Sequence, residues 1–594
     1  EDFERALDTA RRAAAGSKDF RDHVWLAQLL LILAQRAEDE GRKAEAEPYL
    51  VETEAALRAA TAVAGDSPQP WVALVKFLGH TGKTAQAEEV IAEARQKLPP
   101  DRAPLAIAQA YRLIGKSAKA AVEYDAALAA APGDPMVARI VADYYLRARR
   151  PHKAQPLLER LVANPGSDKP AEQAWARRRL ARVLADQGER DRAIGLLEEL
   201  CKESATAVAD DRLLLASLYL DKDDWKRARE LLVELVVADP PQPTHLAVYV
   251  EALLGQRQLA EAEKWLRKLE EIRPDDFLPV SLRARTWFRR NEIDRGLRHL
   301  QGFVDNANSR MSDKGQRQRR VTAWLEQYAG RLKDEEKAAL APRLQSEAEK
   351  LLRRYLDEHA GEQSLLVGLL VRADRFDDAA AEADNAIDEA APEAAARICL
   401  SLLTGSGGEA SRVKRVQQVT QRALQKHPQS IPLELALADV AGYQGRFDDV
   451  EASYRKVLGQ DPGNVATMNN LAVLLALKGK DLDEALELIN AAIQRSGPAS
   501  VLLDSRATVH LARKETAEAL ADLERAIADV PRPTRFFHRA QAYLIEGKQE
   551  LAAEAFREAQ RRGLTEAHLH PLELPAYRRM SDTIQAASKP ENKL

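Results

Sequence analysis

Gly82-Lys83-Thr84 has the ending of a phosphate-binding P-loop, in which backbone N–H groups cradle phosphates and a lysine reaches the terminal ones. The rest of that loop is missing. It requires a glycine five residues before Gly82, where Phe77 stands, and a strand ahead, where WVALVKFLGH has a helical pattern. Gly405-Ser406-Gly407-Gly408 has the composition of a phosphate loop but lies between helical segments, without a strand. His568 and His570 are two apart and could share a metal from a loop; only Glu566 and Glu573 stand near them, too few for a ligand set of known geometry. Cys201 and Cys399 are far apart, with no ligand-type neighbours at metal spacing, so a disulfide framework and a structural zinc site are excluded. HExxH, GxSxG and CxxC are all absent. No catalytic residue, cofactor site or metal site is assigned.

Two arginine-bearing stretches could instead form a surface. WARRRLARVL sets Arg178 and Arg182 one helical turn apart, and SLRARTWFRR does the same with Arg285, Phe288 and Arg289. A guanidinium beside an aromatic ring suits acidic peptides or phosphate groups. The plainer alternative is a solvated face on a chain that is 30% charged.

The elements that would position these residues follow from composition and pattern. At 594 residues the chain exceeds what one hydrophobic core can serve, so several domains or an open array are expected. It is 45% apolar, only 5% aromatic and rich in alanine and charge, which favours helix over sheet. A net charge of −4 gives no global basic footprint for nucleic acid. The most apolar run, Val24 to Ala34, is too short to span a bilayer. The chain opens on Glu1 inside a helical pattern and is expected to be a fragment or a processed chain.

Self-similarity is the strongest signal. Anchor positions recur at Ala46, Ala87, Ala120, Ala154, Ala193, Ala228, Ala262, Gly296, Ala348, Ala379, Val416, Val450, Ala485, Ala519 and Ala552, most of them 33 to 35 residues apart. Longer steps before Ala87, Ala193, Ala348 and Val416 mark insertions. A second small residue precedes many anchors by twelve or thirteen positions, as at Ala108, Ala142, Ala216, Ala284, Ala472 and Ala540. Small residues at both slots let two antiparallel helices approach closely while larger apolar side chains fill the groove beside them. Gly82, Gly115, Gly188, Gly445 and Gly547 sit where a first helix should end in a left-handed cap. Pro99, Pro132, Pro240, Pro274, Pro462 and Pro531 stop the second helices.

With Trp71 in the early aromatic slot and Tyr111, Tyr145, Tyr219 and Tyr543 in the tyrosine slot, this pattern resembles the tetratricopeptide repeat family from about Phe3 to Gly563. The C-terminal third is similar to large bacterial proteins of that kind. The resemblance implies an all-α, right-handed solenoid whose first helices line a concave face and hold peptides there. Asn470 occupies the slot of the middle asparagine in the family's carboxylate clamp, but Leu435, Asp439, Val501 and Ser505 stand where the clamp needs Lys, Asn, Lys and Arg. That clamp is therefore absent.

The expected organisation is an array over 1–304, an irregular insert with a polar basic loop and helices over 305–345, a second array over 346–563, and a capping helix with a disordered tail over 564–594. In the tail segment Tyr577, Met580 and Ile584 share one face, suited to closing the array's end. The expected function is a non-catalytic scaffold for a protein or peptide partner, an acidic one being an option, in a bacterial multiprotein or envelope assembly. Two alternatives stay open: an arm of a larger kinase or glycosyltransferase lying upstream, and an RNA-binding helical-repeat protein. The second lacks a consistent basic groove, since the slot of Arg182 holds Lys76, Gln109, Asp143, Ser217, Glu251 and Asp439 elsewhere.

Overall fold

A computed structural model describes residues 2–163, 170–202, 207–238, 240–306, 311, 313–332 and 334–587. Within them lie 32 α-helices and no strand. The chain is an all-α helical-repeat solenoid.

The alanine anchors explain why the helices pair. All fifteen anchors fall on the second helix of a pair, beginning with Lys43–Ala62 and ending with Gln549–Arg561, and all are buried. The partner slots Ala108, Ala142, Ala216, Ala284, Ala472 and Ala540 are completely enclosed on the first helices. A methyl group at each slot sets how close the two axes come, and a larger group would force them apart.

The turns between paired helices share one device. Five residues before the anchor the backbone is left-handed, with φ of 76° at Gly82, 75° at Gly115, 83° at Gly188 and 74° at Gly547. Elsewhere Arg149, Asp223, Arg257, Asn291, Asp374 and Lys514 adopt the same conformation at φ between 56° and 63°, although a Cβ makes it costly. Gly82 is therefore a helix cap. The helix Gln69–His80 precedes it, and Lys83 bonds Glu54 at 2.7 Å rather than pointing freely into solvent.

Helix starts use equally local chemistry. The carboxylate of Asp134 accepts from the backbone N–H of Met136, and Pro135 takes the first helical position, where its missing N–H leaves no gap. Tyrosines tie successive repeats together: Tyr145 donates to Asp125, and Tyr219 donates to Glu198 at 2.5 Å.

Contacts divide the chain into two compact units, 1–168 together with 479–594, and 169–478. The stretch 305–345, expected to separate two arrays, lies inside the second unit. Its first helix starts at Lys314, within the expected polar loop, because Asp313 caps it by accepting from Gly315 N and Gln316 N. Val321, Leu325, Leu340 and Leu344 then join a core that runs from Val280 to Val440.

In the first unit the closing helix is Leu574–Ala587, with Tyr577 and Met580 packed on Phe537 and Phe556. The side chain of Ile584 and the expected disordered tail at 588–594 lie outside the described residues. His538, which the sequence did not single out, holds this end in place. Its Nδ1 meets Asp504 at 2.8 Å and its Nε2 meets Glu573 at 2.8 Å. Burial would lower the pKa of His538, but the two carboxylates outweigh it and raise the value to about 10. His568 and His570 are used in turns, their Nδ1 atoms accepting from Thr565 N and Leu572 N.

A candidate protein-interaction groove

The helix Phe277–Arg289 is the first of its repeat, and its partner Ile293–Asp305 carries Gly296 where most repeats have alanine. Phe288 supplies the missing volume. A Cβ on Gly296 would meet Phe288 Cε1 at 2.4 Å, so the ring leans into the helix contact and is only 7% exposed. From there it stacks on two half-buried rings of the next first helix, Lys314–Arg331. Its centroid is 6.3 Å from Trp324 and 5.8 Å from Tyr328. Trp324 and Tyr328 are one helical turn apart and nearly parallel, at 5.2 Å and 4°. Phe277 meets the edge of Trp324 at 6.1 Å.

Arginines border this aromatic cluster. Arg285 lies over Tyr328 at 5.7 Å and bonds Glu251 at 2.7 Å. The exposed guanidinium of Arg320 lies over Phe277 at 5.5 Å. Arg319 faces Glu362 at 3.4 Å, and Arg372 bonds Glu326 at 3.0 Å. Two cavities of about 670 and 430 Å³ share Arg320, Ala323, Glu326 and Arg372. The larger reaches Trp324, and the smaller reaches Arg319 and Leu365. A third, of about 310 Å³, is lined by Phe288, Arg289 and Tyr328.

The arginines expected from sequence therefore separate by role. Arg285, Phe288 and Arg289 are brought together around Tyr328, with Phe288 as a floor rather than an exposed contact. Arg178 is committed elsewhere: it grips Asp211 with two bonds, of 2.5 and 2.8 Å, and Asp211 in turn accepts from Val208 N at a helix start. Arg182 is exposed one turn further on. Arg317, part of the expected basic loop, is buried; it donates to the carbonyls of Val304 and Met311 and so pins the preceding helix end. Arg310 lies outside the described residues. Trp324, Tyr328 and Arg372 were not singled out from sequence, whereas Arg319 and Arg320 belong to the expected basic loop. The aromatic pair at four-residue spacing in VTAWLEQYAG was the available signal.

A tetratricopeptide-repeat family model matches residues 142–208, 213–277, 435–500 and 505–564. These four segments are tetratricopeptide repeats. Such arrays are protein-interaction scaffolds, and this chain is built as one. A stretch of 150 residues is 31% identical to the cellulose synthase operon protein C of Pseudomonas fluorescens (strain SBW25), covering 23% of this chain. It spans 12% of that relative's length. A tetratricopeptide repeat protein of Parabacteroides merdae is similar at 14% identity and a TM-score of 0.32, over 45% of this chain and 99% of its own. A thermophilic tetratricopeptide repeat protein of Thermus thermophilus is similar at 20% identity and a TM-score of 0.27, over 33% of this chain and all of its own. Among the described residues, no group of three His, Cys, Asp or Glu could hold a metal, and no helix is long and apolar enough to cross a membrane.

Proposed function

We propose that this protein is a non-catalytic scaffold that seats an acidic, partly apolar segment of a partner protein around the helix Lys314–Arg331. The observation that carries this reading is the aromatic cluster of Phe288, Trp324 and Tyr328 bordered by arginine. Half-buried rings offer contact area at low conformational cost, as at interface hot spots, and guanidinium groups recognise carboxylates bidentately. Three arginines and one glutamate line the two joined cavities, and that glutamate, Glu326, already neutralises Arg372. Arg320 is left to attract an incoming carboxylate. The relative's name ties it to a cellulose synthase operon, and by that likeness the reading extends to a bacterial multiprotein assembly.

The test is affinity capture and peptide binding with wild type, Trp324→Ala and Arg320→Glu, at low and high salt. Both variants should lose the same bound protein or acidic peptide while keeping the wild-type helix content. Arg320→Glu should also flatten the salt dependence, since exposed charges are screened beyond ~8 Å at physiological ionic strength. Unchanged binding by both variants would remove this groove from the account.

A further inference from the structure

In a helical-repeat array each unit ordinarily touches only its neighbours. The first unit contains an exception. The turn before the helix Pro151–Ala163 meets the end of the helix Thr516–Asp529, and His152 bonds the backbone carbonyl of Asp529 across 377 positions of sequence. Arg150 Nη1 stands 2.5 Å and Lys153 Nζ 3.8 Å from the Asp529 carboxylate, with these side chains 14–19% exposed. The Arg150–Asp529 pair meets ion to ion but off the hydrogen-bonding axis, so its attraction is coulombic rather than directional. Nearby, a Cβ on Gly497 would meet the methyl of Ala118 at 3.1 Å, a second close approach between the same two stretches.

The chemistry of the contact is one-sided. The last turn of a helix carries partial negative charge from its unpaired carbonyls. Asp529 adds a full negative charge at that spot; Arg150 faces it from the other stretch, Lys153 is shared between it and Asp125 at 2.9 Å, and His152 donates to the backbone carbonyl of the same residue. The ion pair of Arg150 with Asp529 is thus a specific attraction between the two stretches. We propose that Asp529 is the keeper of an electrostatic latch, which holds residues 115–153 against residues 497–530 and opens when its charge is removed or screened. The latch is independent of the groove in the second unit.

Spin labels on the full chain at the exposed positions Arg147→Cys and Arg532→Cys, with Cys201→Ala and Cys399→Ala, would report the separation by pulsed electron resonance. The closed latch predicts one short-distance population at low salt. Asp529→Lys should move the main population to longer distances, and Asp529→Asn or high salt should do so in part. The swap Arg150→Asp with Asp529→Arg should restore the short population. Melting by circular dichroism checks that each variant is folded; should Asp529→Lys not fold, Asp529→Asn and the wild-type salt series read the same variable. A wild type already dominated by long distances would overturn the proposal. So would distances unchanged in both Asp529 variants and in salt, or a short population that grows with protein concentration.

Discussion

Phe288 lies against the bare Cα of Gly296, occupying the space that an anchor methyl takes in most other repeats. One ring thus serves two contacts, closing its own helix pair and supporting Trp324 and Tyr328 of the next. Gly296→Ala should therefore destabilise the second unit by ~1–3 kcal/mol, the usual cost of overpacking. It should also tilt Phe288 out of the aromatic cluster and weaken binding at the groove. Denaturant unfolding together with tryptophan fluorescence would measure both effects. A variant as stable as wild type would mean that the ring has room to withdraw.

Lys514 and Gly188 sit at the same turn position with the same left-handed backbone, at φ of 63° and 83°. A Cβ in that conformation costs roughly 1–2 kcal/mol. Lys514→Gly should therefore raise stability despite glycine's greater freedom when unfolded, and Gly188→Ala should lower it, each by about 1 kcal/mol. Thermal melting of the two variants should show shifts of opposite sign. A loss for Lys514→Gly together with a gain for Gly188→Ala would show that glycine entropy outweighs strain here.

The imidazolium of His538 gives the C-terminal cap a defined pH window. Its pKa is raised from 6.5 to about 10, so this contribution is complete below 6.5 and is lost as pH rises toward 10. Asp504 and Glu573 have the opposite sign: burial alone would raise them, but His538 lowers both below their ordinary 3.8 and 4.5. Their contribution is present above those values and is lost in acid. The helix Leu574–Ala587 should be most protected from hydrogen exchange between about pH 4.5 and 6.5 and should loosen progressively above that window. His538→Gln should abolish the alkaline loosening. An alkaline profile that is the same in both proteins would assign it to another group.

Much of the fold was legible because the repeat is written in small residues at fixed spacing, and an alanine at a helix crossing has few other reasons to recur. The cap was legible for a related reason: Tyr577 and Met580 share a helical face. The left-handed turns were only half legible. Glycine announces that backbone, whereas Arg149, Asp223 and Lys514 adopt it without a signature of their own. The groove was harder still. Arg178 is held by Asp211, 33 residues on, and Arg285 by Glu251, 34 residues back, and spacing within one helix carries no record of such partners. The stretch from Asp305 to Arg320 looked like a loop because its charges hide a capped helix start at Asp313 and a buried Arg317.

The shared turn makes the chain a set of interchangeable cassettes. Gly115 and Arg149 hold the same backbone conformation at the same point of successive repeats. A splice from one to the other removes a whole helix-pair period and joins two halves of an identical bend. Length can then change by whole units without inventing a new connection, and the seam falls on the surface rather than in the alanine-lined interior. A ruler lengthened one mark at a time is easily adapted to larger or smaller assemblies.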